Sequence, residues 1–577
     1  MWYKKHIRRH LCDMHIDDWN PEFLSKFDPV TYVENLKRAR LQNAMLYFQS
    51  HVGLSYYPTA SGKMHAAFVG REDMMKRTVD LCHAAGMSVT GYYSLTHNTW
   101  AHDAYPDWRM VGPDGKSKRE SKGTRYGFCC PNHPEYRRFT ETQIREFTEY
   151  FGQVEGMFYD MLFWPQMCYC KYCRARWERE VGGEIPTVEN WEDEKWLLHM
   201  KKRREWMGEF AQWVTDLTKS LMPGVSVEHN VAFSAILNGT VANAEEVLNA
   251  CDYAGGDRCV SPYAQSFTCK FYRSITKNQP FEYMFTRCAP SLSAHTQIKS
   301  ADTMRSAMFL TTAHHGATLI IDAIDPCGTM NPKVYDRIGK IFSEVMPYEP
   351  YLVGEPIEDV GFYYSLKSKF FRRGEDFNNY TGVNVGVETM IRKNFLSGVT
   401  GGFADLSHYP VIVAPFLNEQ DAYDVERLIE YVRAGGKLYF SGAEMPALLR
   451  TFFNAEVKGR TRERKVYLAP KKQYEEIFED YCAEYPMAFS STAPIVEGIC
   501  DETVIATVTL PYTPQDIPQF ASIHSNPPGI KTEIPAVALL LYLLTFTIIP
   551  SLFLIYEISV GNLQSVKILY IVFPRPV

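Results

Sequence analysis

The chain has 577 residues, of which 46% are hydrophobic and 22% charged, and a formal net charge of −6. This composition is typical of a globular protein with several domains and excludes a disordered or fibrous chain. The slightly acidic charge also argues against nucleic acid as a partner, because such proteins need a basic surface.

The first 350 residues alternate short apolar runs with amphipathic segments, which predicts repeated strand–helix units. Helices are predicted at 30–40, 71–85, 136–151 and 192–221, with Asp28 and Pro29 at the start of the first and Gly86 after the second. The predicted strands are 11–16, 44–48, 88–93, 157–159, 225–227, 253–254, 283–285 and 318–321. Eight such units predict an α/β fold, a (β/α)8 TIM barrel over residues 1–350.

The sequence pattern changes at residues 351–515 and predicts a second domain there. Strands are expected at 359–365, 410–415 and 435–442, with a helix at 419–434. This alternation predicts a small doubly wound α/β domain. Its PVIVAP…AGGKLYFSG pattern resembles that of amidotransferase-like folds. Because no Cys stands at the nucleophile turn, we expect this domain to have a structural role.

A short C-terminal region, residues 516–577, contains an apolar run. Residues 534–556 include no charged side chain over 23 positions, which is long enough to span a bilayer. Three interpretations remain open: a membrane anchor, buried strands of a terminal β domain, or a tail unrelated to the fold. The abrupt change of composition after Pro535 favours the last, and a membrane partner is not expected.

The start of the chain, MWYKKHIRRHLCD, is basic but lacks the apolar stretch of a secretory signal peptide. Its 14 cysteines stand mostly in apolar surroundings, which is typical of reduced thiols and predicts a cytoplasmic protein.

Function in a TIM barrel lies at the carboxyl ends of the strands. Asp160 closes the fourth predicted strand, GMFYD, as its only carboxylate. Further acidic, imidazole, amide and aromatic side chains are expected at the other strand ends, and no phosphate loop or dinucleotide fingerprint is present. The selected residues are His15, Trp19, Gln49, His51, Tyr92, Trp100, Glu228, His229, Asp257 and Arg287. Such a set suits glycoside hydrolysis, which needs two carboxyl groups and donors for sugar hydroxyls.

Two segments carry a family resemblance. EYFGQVEGMFYD, ending at Asp160, resembles the fourth strand of the α-L-fucosidases of glycoside hydrolase family 29, and GMSVTGYYSL resembles their third strand. Residues 10–530 resemble still more the α-L-fucosidases of family 151 and a related group of hypothetical glycosyl hydrolases. The resemblance implies that Asp160 is the nucleophile, although Gln49 and His51 stand where family 29 has a His-His pair.

The resemblance does not supply the general acid. We predict Glu228, because the fifth strand would aim it into the cleft, with Asp257 as the alternative. The implied function is that of a retaining exo-glycosidase for α-L-fucosides without a catalytic cofactor, in which the other selected residues bind the sugar. Two alternatives are a β-galactosidase-like enzyme with Glu282 as nucleophile and a non-catalytic carbohydrate-binding barrel. The first is disfavoured because the fourth strand ends in YDM rather than in an Asn-Glu pair.

A cysteine cluster predicts a metal site. Cys168, Cys170 and Cys173 fall within six residues, a spacing that favours a metal over a disulfide. Together with Cys130 they resemble the structural zinc site of the family 42 β-galactosidases, which implies a closed four-thiolate zinc site; Cys129 could replace Cys130. The α/β domain likewise resembles the trimerisation domain of that family, which implies a homo-oligomer of the trimer type.

Overall fold

The chain folds into two compact units, Met1–Glu355 and Pro356–Val577. The computed structural model describes residues 1–191, 193–232, 245–258, 260–368, 379–402, 404–417, 422–441, 445–513, 519, 521–522, 526–542 and 569–574.

The first unit is built around eight parallel strands, as predicted, although the sixth lies at 255–257, directly after the predicted 253–254. They are β1 Arg8–Asp13, β2 Asn43–Gln49, β3 Ser88–Ser94, β4 Gly156–Asp160, β5 Ser226–His229, β6 Gly255–Asp257, β7 Glu282–Thr286 and β8 Ala317–Ala323. Within the described ranges their order is β5-β4-β3-β2-β1-β8-β7-β6. No ladder joins β5 to β6 in this path, although isolated backbone bonds cross between them, including Val231 N–H to the Gly255 carbonyl, 3.0 Å, and Asp252 N–H, just before β6, to the Val227 carbonyl, 2.8 Å. The unit is therefore a nearly closed TIM barrel with one seam, between β5 and β6.

Helices connect the strands. They are α1 Pro29–Arg38, α2 Met74–Ala84, α3 Thr99–Ala104, α4 Lys118–Lys122, α5 Pro134–Phe151, α6 Lys171–Glu180, α7 Glu194–Leu221, α8 Glu245–Leu248, α9 Pro262–Ile275, α10 Ala301–Ala313 and α11 Pro332–Val345. The first begins as predicted, because the Asp28 carboxylate accepts a bond of 2.7 Å from the Thr31 amide and Pro29 occupies the first turn. After α2 the chain turns at Gly86, whose φ of 75° is the left-handed conformation that glycine adopts without strain.

The first strand begins and ends three residues earlier than predicted. Two arginines, Arg8 and Arg9, open β1 and both are buried. Arg9 is paired with Glu282 at 2.7 Å, and a long-range pairing of this kind leaves no local signal in the sequence. Consequently the carboxylate at the end of this strand is Asp13.

The second unit contains the predicted doubly wound α/β layer. Its strands β9 Val360–Tyr363, β10 Ser397–Thr400, β11 Val411–Pro415 and β12 Lys437–Ser441 are parallel, in the order β10-β9-β11-β12. The associated helices are α12 Asn379–Arg392, α13 Ala422–Arg433 and α14 Pro446–Leu448. Residues 418–421, at the start of the predicted helix, lie outside the described residues.

An antiparallel part extends this sheet. Its strands are β13 Glu456–Arg460, β14 Val466–Pro470, β15 Met487–Phe489, β16 Pro494–Glu497, β17 Val504–Pro511, β18 Pro528–Tyr542 and β19 Leu569–Pro574. β13 and β16 form a separate pair, whereas the others continue the main sheet in the order β12-β19-β18-β17-β14-β15. The doubly wound layer and the C-terminal region thus share one sheet instead of forming separate structures.

The start of the predicted apolar tail belongs to this sheet. Val537 and Ala538, on β18, are both fully buried. Val537 packs into the core of the antiparallel strands, and Ala538 into the core of the doubly wound layer, as expected from the alternation of side chains along a strand. The interpretation of the tail as unrelated to the fold is therefore wrong for residues 535–542; residues 543–568 lie outside the described residues. Within the described ranges, no helix combines the length and the apolar character needed to cross a membrane.

We expect Val537→Asp to destabilise the second unit by about 3 kcal/mol or more, because the carboxylate would be buried without a partner. Glu533→Gln, at an exposed position of the same strand, is the matched control and should leave stability unchanged. Urea unfolding of both variants measures the difference. An unchanged unfolding midpoint for Val537→Asp would show that β18 does not pack in this sheet.

Candidate active site

Asp160 is the last residue of β4, at the carboxyl end of the barrel, and its side chain receives three hydrogen bonds. The hydroxyl of Tyr92, on β3, donates to Oδ2. The Asn230 amide donates to Oδ1 at 3.0 Å and the Met161 backbone N–H at 2.7 Å. Burial, followed by the negative charge of Asp257, raises the pKa of Asp160 to about 6, against the effect of the three donors. At neutral pH the carboxylate is therefore ionised and held in a fixed orientation.

Asn230 also binds a second carboxylate. Its Nδ2 lies 3.0 Å from Oδ1 of Asp160 and 2.9 Å from Oδ1 of Asp257, which ends β6. The two oxygens are thus at most about 5.9 Å apart, and the angle of about 120° between the N–H bonds of an amide gives about 5 Å. Asp257 is exposed whereas Asp160 is buried. The barrel rim therefore holds a buried and an exposed carboxyl group within a few ångströms of each other.

Two stacked imidazoles border Asp160. The rings of His15 and His51 have centroids 3.7 Å apart. The Ser94 hydroxyl donates to the His97 carbonyl at 2.9 Å and so accepts from Nδ1 of His51 at 2.7 Å. This leaves Nε2 of His51, 3.8 Å from Oδ2 of Asp160, as an acceptor in the neutral ring. Burial lowers the pKa of His51 well below its ordinary value, so the neutral form is the one present at neutral pH.

A stack of aromatic rings packs beside Asp160. Tyr47 and Tyr92 stack with ring centroids 4.0 Å apart, and Tyr92 stacks on Phe158 at 5.6 Å. The Tyr47 hydroxyl contacts Nε2 of His15 at 3.1 Å. Among the predicted site residues, His15, His51, Tyr92, Asp160 and Asp257 are thus brought together.

Glu228, the predicted general acid, lies elsewhere. The register of β4 and β5 pairs it with Phe158, two residues before Asp160, so it sits one layer deeper in the barrel. Its charged and polar neighbours are Glu282, Arg9 and Tyr253, and it is 1% exposed. A residue enclosed at this depth does not reach a substrate at the rim, so this prediction is wrong.

Glu282, the nucleophile of the β-galactosidase alternative, is excluded for a related reason. It is the first residue of β7, at the amino end of the strand, and binds Nη1 of Arg9 at 2.7 Å. Catalytic groups of TIM barrels stand at the opposite end.

His229 and Arg287 do not face the cleft either. Nε2 of His229 binds Oγ1 of Thr215 on α7 at 2.9 Å, so the imidazole lies between strand and helix. Nε of Arg287 binds Oδ1 of Asp322 at 2.5 Å, and Asp322 also accepts from the Tyr335 hydroxyl on α11. Both predictions of substrate binding are therefore wrong, because each side chain stabilises the contact between the barrel and a helix.

Three further predicted binding residues have other surroundings. Trp19 is 75% exposed and packs on Phe23. Trp100 packs against Tyr105 and Phe139, in an aromatic cluster outside the group around Asp160. Gln49 is buried, and its Oε1 accepts a bond of 3.1 Å from the Ser94 amide, which ties the ends of β2 and β3. The contacts of Trp100 and Gln49 are structural, whereas sugar binding by the exposed Trp19 stays a prediction.

Two residues at the rim were not selected from the sequence. Asn230 follows β5 and could have been found from alternation, since it stands two residues after the inward-facing Glu228. Asp13 ends β1, and its Oδ1 accepts a bond of 3.1 Å from the His15 amide. No local signal marks Asp13, because the boundary of β1 depends on the buried arginines.

The four predicted cysteines form one buried cluster. The sulfur atoms of Cys130, Cys168, Cys170 and Cys173 all lie within 4.8 Å of one another. Cys130 is 3.5 Å from Cys173 and 3.6 Å from Cys170, close to the spacing of about 3.8 Å that a tetrahedron with Zn–S bonds of about 2.3 Å requires. The neighbouring Cys129 instead directs its thiol at the Asn98 carbonyl. The donor set fits a closed four-thiolate metal site.

Comparisons with known proteins agree with the architecture. Residues 28–161 match the family model described as Hypothetical glycosyl hydrolase 6. The structure is similar to the α-L-fucosidase isoenzyme 2 from Paenibacillus thiaminolyticus, with a TM-score of 0.73 and 17% identity over 92% of this chain and 78% of that one. The β-galactosidase from Rahnella sp. R3 is similar with a TM-score of 0.66 and 16% identity, over 87% of this chain and 82% of that one. The β-galactosidase from Bacillus circulans sp. alkalophilus is similar with a TM-score of 0.66 and 15% identity, over 89% of this chain and 84% of that one. A search of curated protein sequences finds no match.

At these identities the structural likeness shows the fold alone. The family model adds the chemical class and confirms the predicted resemblance to hypothetical glycosyl hydrolases. A glycoside hydrolase on a TIM barrel is therefore supported by both comparisons.

Proposed function

We propose that this protein is a retaining exo-glycosidase that hydrolyses α-L-fucosides through a covalent glycosyl-enzyme intermediate. The observation that carries the proposal is the pair of carboxylates, Asp160 and Asp257, bound to one amide at the rim of the barrel. The sugar is inferred from the resemblance of the third and fourth strands to fucosidases and from the likeness to a fucosidase of the same architecture.

The spacing of the pair favours retention. Carboxyl groups about 5–5.5 Å apart let one attack the anomeric carbon directly, whereas inverting enzymes leave about 6.5–9.5 Å for a water molecule. The limit of about 5.9 Å set by the Asn230 bonds falls short of the inverting range.

Each carboxyl group has surroundings suited to one role. Asp160 is buried, ionised at neutral pH and fixed by three donors, as a nucleophile requires. Asp257 is exposed at the mouth of the pocket, where it meets the leaving group and then water. It would first protonate the glycosidic oxygen and then deprotonate the attacking water. Asp257 thus takes the role that the sequence had assigned to Glu228.

His51 provides a contact for a sugar hydroxyl. In the neutral ring its Nε2, 3.8 Å from Oδ2 of Asp160, would accept a hydrogen bond from a hydroxyl beside the carboxylate. Activity on aryl α-L-fucoside but not on aryl β-D-galactoside would support the assigned sugar. The reverse result would favour the β-galactosidase alternative. Activity on neither substrate would favour the non-catalytic carbohydrate-binding alternative.

We also propose that Cys130, Cys168, Cys170 and Cys173 hold a structural zinc ion. Four thiolates complete a tetrahedron and leave no open position for a substrate, so the ion would stabilise the fold and take no part in the reaction. Two of the ligands, Cys168 and Cys170, belong to the loop between β4 and α6, and Cys173 lies in the first turn of α6. The site would therefore fix the loop that follows the nucleophile.

We expect Asp160→Ala to lower kcat/KM on aryl α-L-fucoside by about a thousandfold or more, equivalent to about 4 kcal/mol, without loss of fold. Azide should restore turnover and yield the β-L-fucosyl azide, because the small anion attacks from the vacated face. Asp80→Ala, at an exposed position, is the control. Activity of Asp160→Ala within tenfold of wild type would refute the nucleophile assignment.

For Asp257→Ala we expect a much larger loss on disaccharides than on activated aryl fucosides, since a good leaving group needs no proton. Here azide should give the α-L-fucosyl azide, because it intercepts the glycosyl-enzyme. Kinetics with both substrate types and NMR of the azide product measure this. Equal losses on both types, or a β product, would move the acid–base role to another group, with Asp13 the next candidate.

Purified protein should contain about one zinc ion per chain, and Cys168→Ser should lose the metal and unfold at a lower temperature. Cys129→Ala is the matched control, because its sulfur lies outside the cluster, and it should keep the metal. Elemental analysis and thermal unfolding provide the readouts. Metal-free protein of unchanged stability would contradict the proposed zinc site.

A further inference from the structure

Asn230 lies where the barrel is open. β6 pairs with β7 and β5 pairs with β4, but within the described ranges no ladder joins β5 to β6. Isolated backbone bonds, such as that from the Val231 amide to the Gly255 carbonyl, cross this seam without forming a ladder. The Asn230 side chain adds one hydrogen bond to each carboxylate and so links Asp160 to Asp257 directly.

The orientation of the Asn230 amide is itself fixed. Its Oδ1 accepts a bond of 3.0 Å from the Ala232 amide, so the nitrogen must face the carboxylates and not the oxygen. Its own backbone N–H donates to the Tyr159 carbonyl at 3.1 Å, next to Asp160 on β4. Both ends of this residue are thus anchored before substrate enters.

On the other side of the seam, β6 approaches Asn230 closely. A Cβ atom at Gly256, on β6, would lie 2.5 Å from the Ala232 nitrogen and 2.9 Å from Oδ1 of Asn230. Only glycine permits this approach, because both distances are below those that real Cβ atoms adopt. The seam is therefore closely packed around Asn230.

We propose that Asn230 is a positioning residue that holds Asp160 and Asp257 at the retaining separation across the seam. The inference rests on the proposed function for its catalytic meaning. The amide is a neutral double donor, and its two hydrogens offset the repulsion between carboxylates at this distance. An aspartate of the same shape would instead add a third negative charge, and an alanine would leave the two acids without a common partner.

The charged state of Asp160 depends on few groups. It is faced by Tyr92 from β3, His51 after β2, Asp257 from β6 and the Asn230 amide after β5. Loss of the amide removes one donor to the ionised form, so the pKa of Asp160 should rise. A group that acted only through packing would not alter this titration.

The test combines structure and kinetics. Crystal structures of wild type and Asn230→Ala should show an unchanged barrel but a separation of the two carboxylates greater than about 5.9 Å. In Asn230→Ala, kcat should fall about a hundredfold with KM nearly unchanged, and the acidic limb of the kcat/KM profile should move up by about one pH unit. Asn230→Asp should lose more activity than Asn230→Ala although it is isosteric. Asn249→Ala, at an exposed position, is the control.

An unchanged separation together with an unchanged acidic limb would overturn the role of Asn230, even if activity fell. The crystal structures distinguish failure of the positioning role from failure of the proposed function. If wild type hydrolyses no fucoside but the carboxylates part in Asn230→Ala, the proposed substrate is wrong and the positioning role stands. If Asn230→Ala fails to fold, the comparison of Asn230→Asp with wild type decides by the same separation and pH profile.

Discussion

Alternation of side chains along eight parallel strands decides which polar groups reach the cleft. On β5, Glu228 faces the barrel interior, His229 faces α7, and Asn230 beyond the strand end faces inward again. The same alternation places Asp160 inward at the rim. A carboxylate one layer below the rim and one at the rim differ by about 6–7 Å along the strand, which separates the core residue Glu228 from Asp160, the proposed nucleophile.

The layer below the rim, which contains Glu228, includes a buried ion pair. Arg9 binds Glu282 at 2.7 Å and also donates to the backbone carbonyls of His6 and Tyr3. One guanidinium cannot neutralise two buried carboxylates, and burial raises the pKa of Glu228 well above its ordinary value. Glu228 is therefore a core residue beside an ion pair, and its raised pKa favours the protonated form. The separation of this layer from the rim leaves Asp160 its own set of partners.

Local patterns were sufficient for the barrel strands, the first helices, Asp160 and the cysteine cluster, because each has a signal within a few residues. Features that depend on distant partners were not predictable in this way. The start of β1 depends on Glu282, the roles of His229 and Arg287 depend on α7 and α11, and the strand at 528–542 depends on β17. Glu228 was preferred to Asp257 as the general acid because strand 5 was assumed to deliver its carboxylate to the rim, whereas the register places it one layer lower.

The most direct test of the account is to trap the intermediate with 2-deoxy-2-fluoro-α-L-fucosyl fluoride and locate the label by mass spectrometry of peptides. The 2-fluoro substituent slows both formation and hydrolysis of the glycosyl-enzyme, whereas the anomeric fluoride is a good leaving group that speeds formation, so the intermediate accumulates on the nucleophile. The account predicts one fluorofucosyl group per chain, as an ester on Asp160. A label on Asp257 or Asp13, or steady turnover of fucosides with no labelled peptide, would contradict it.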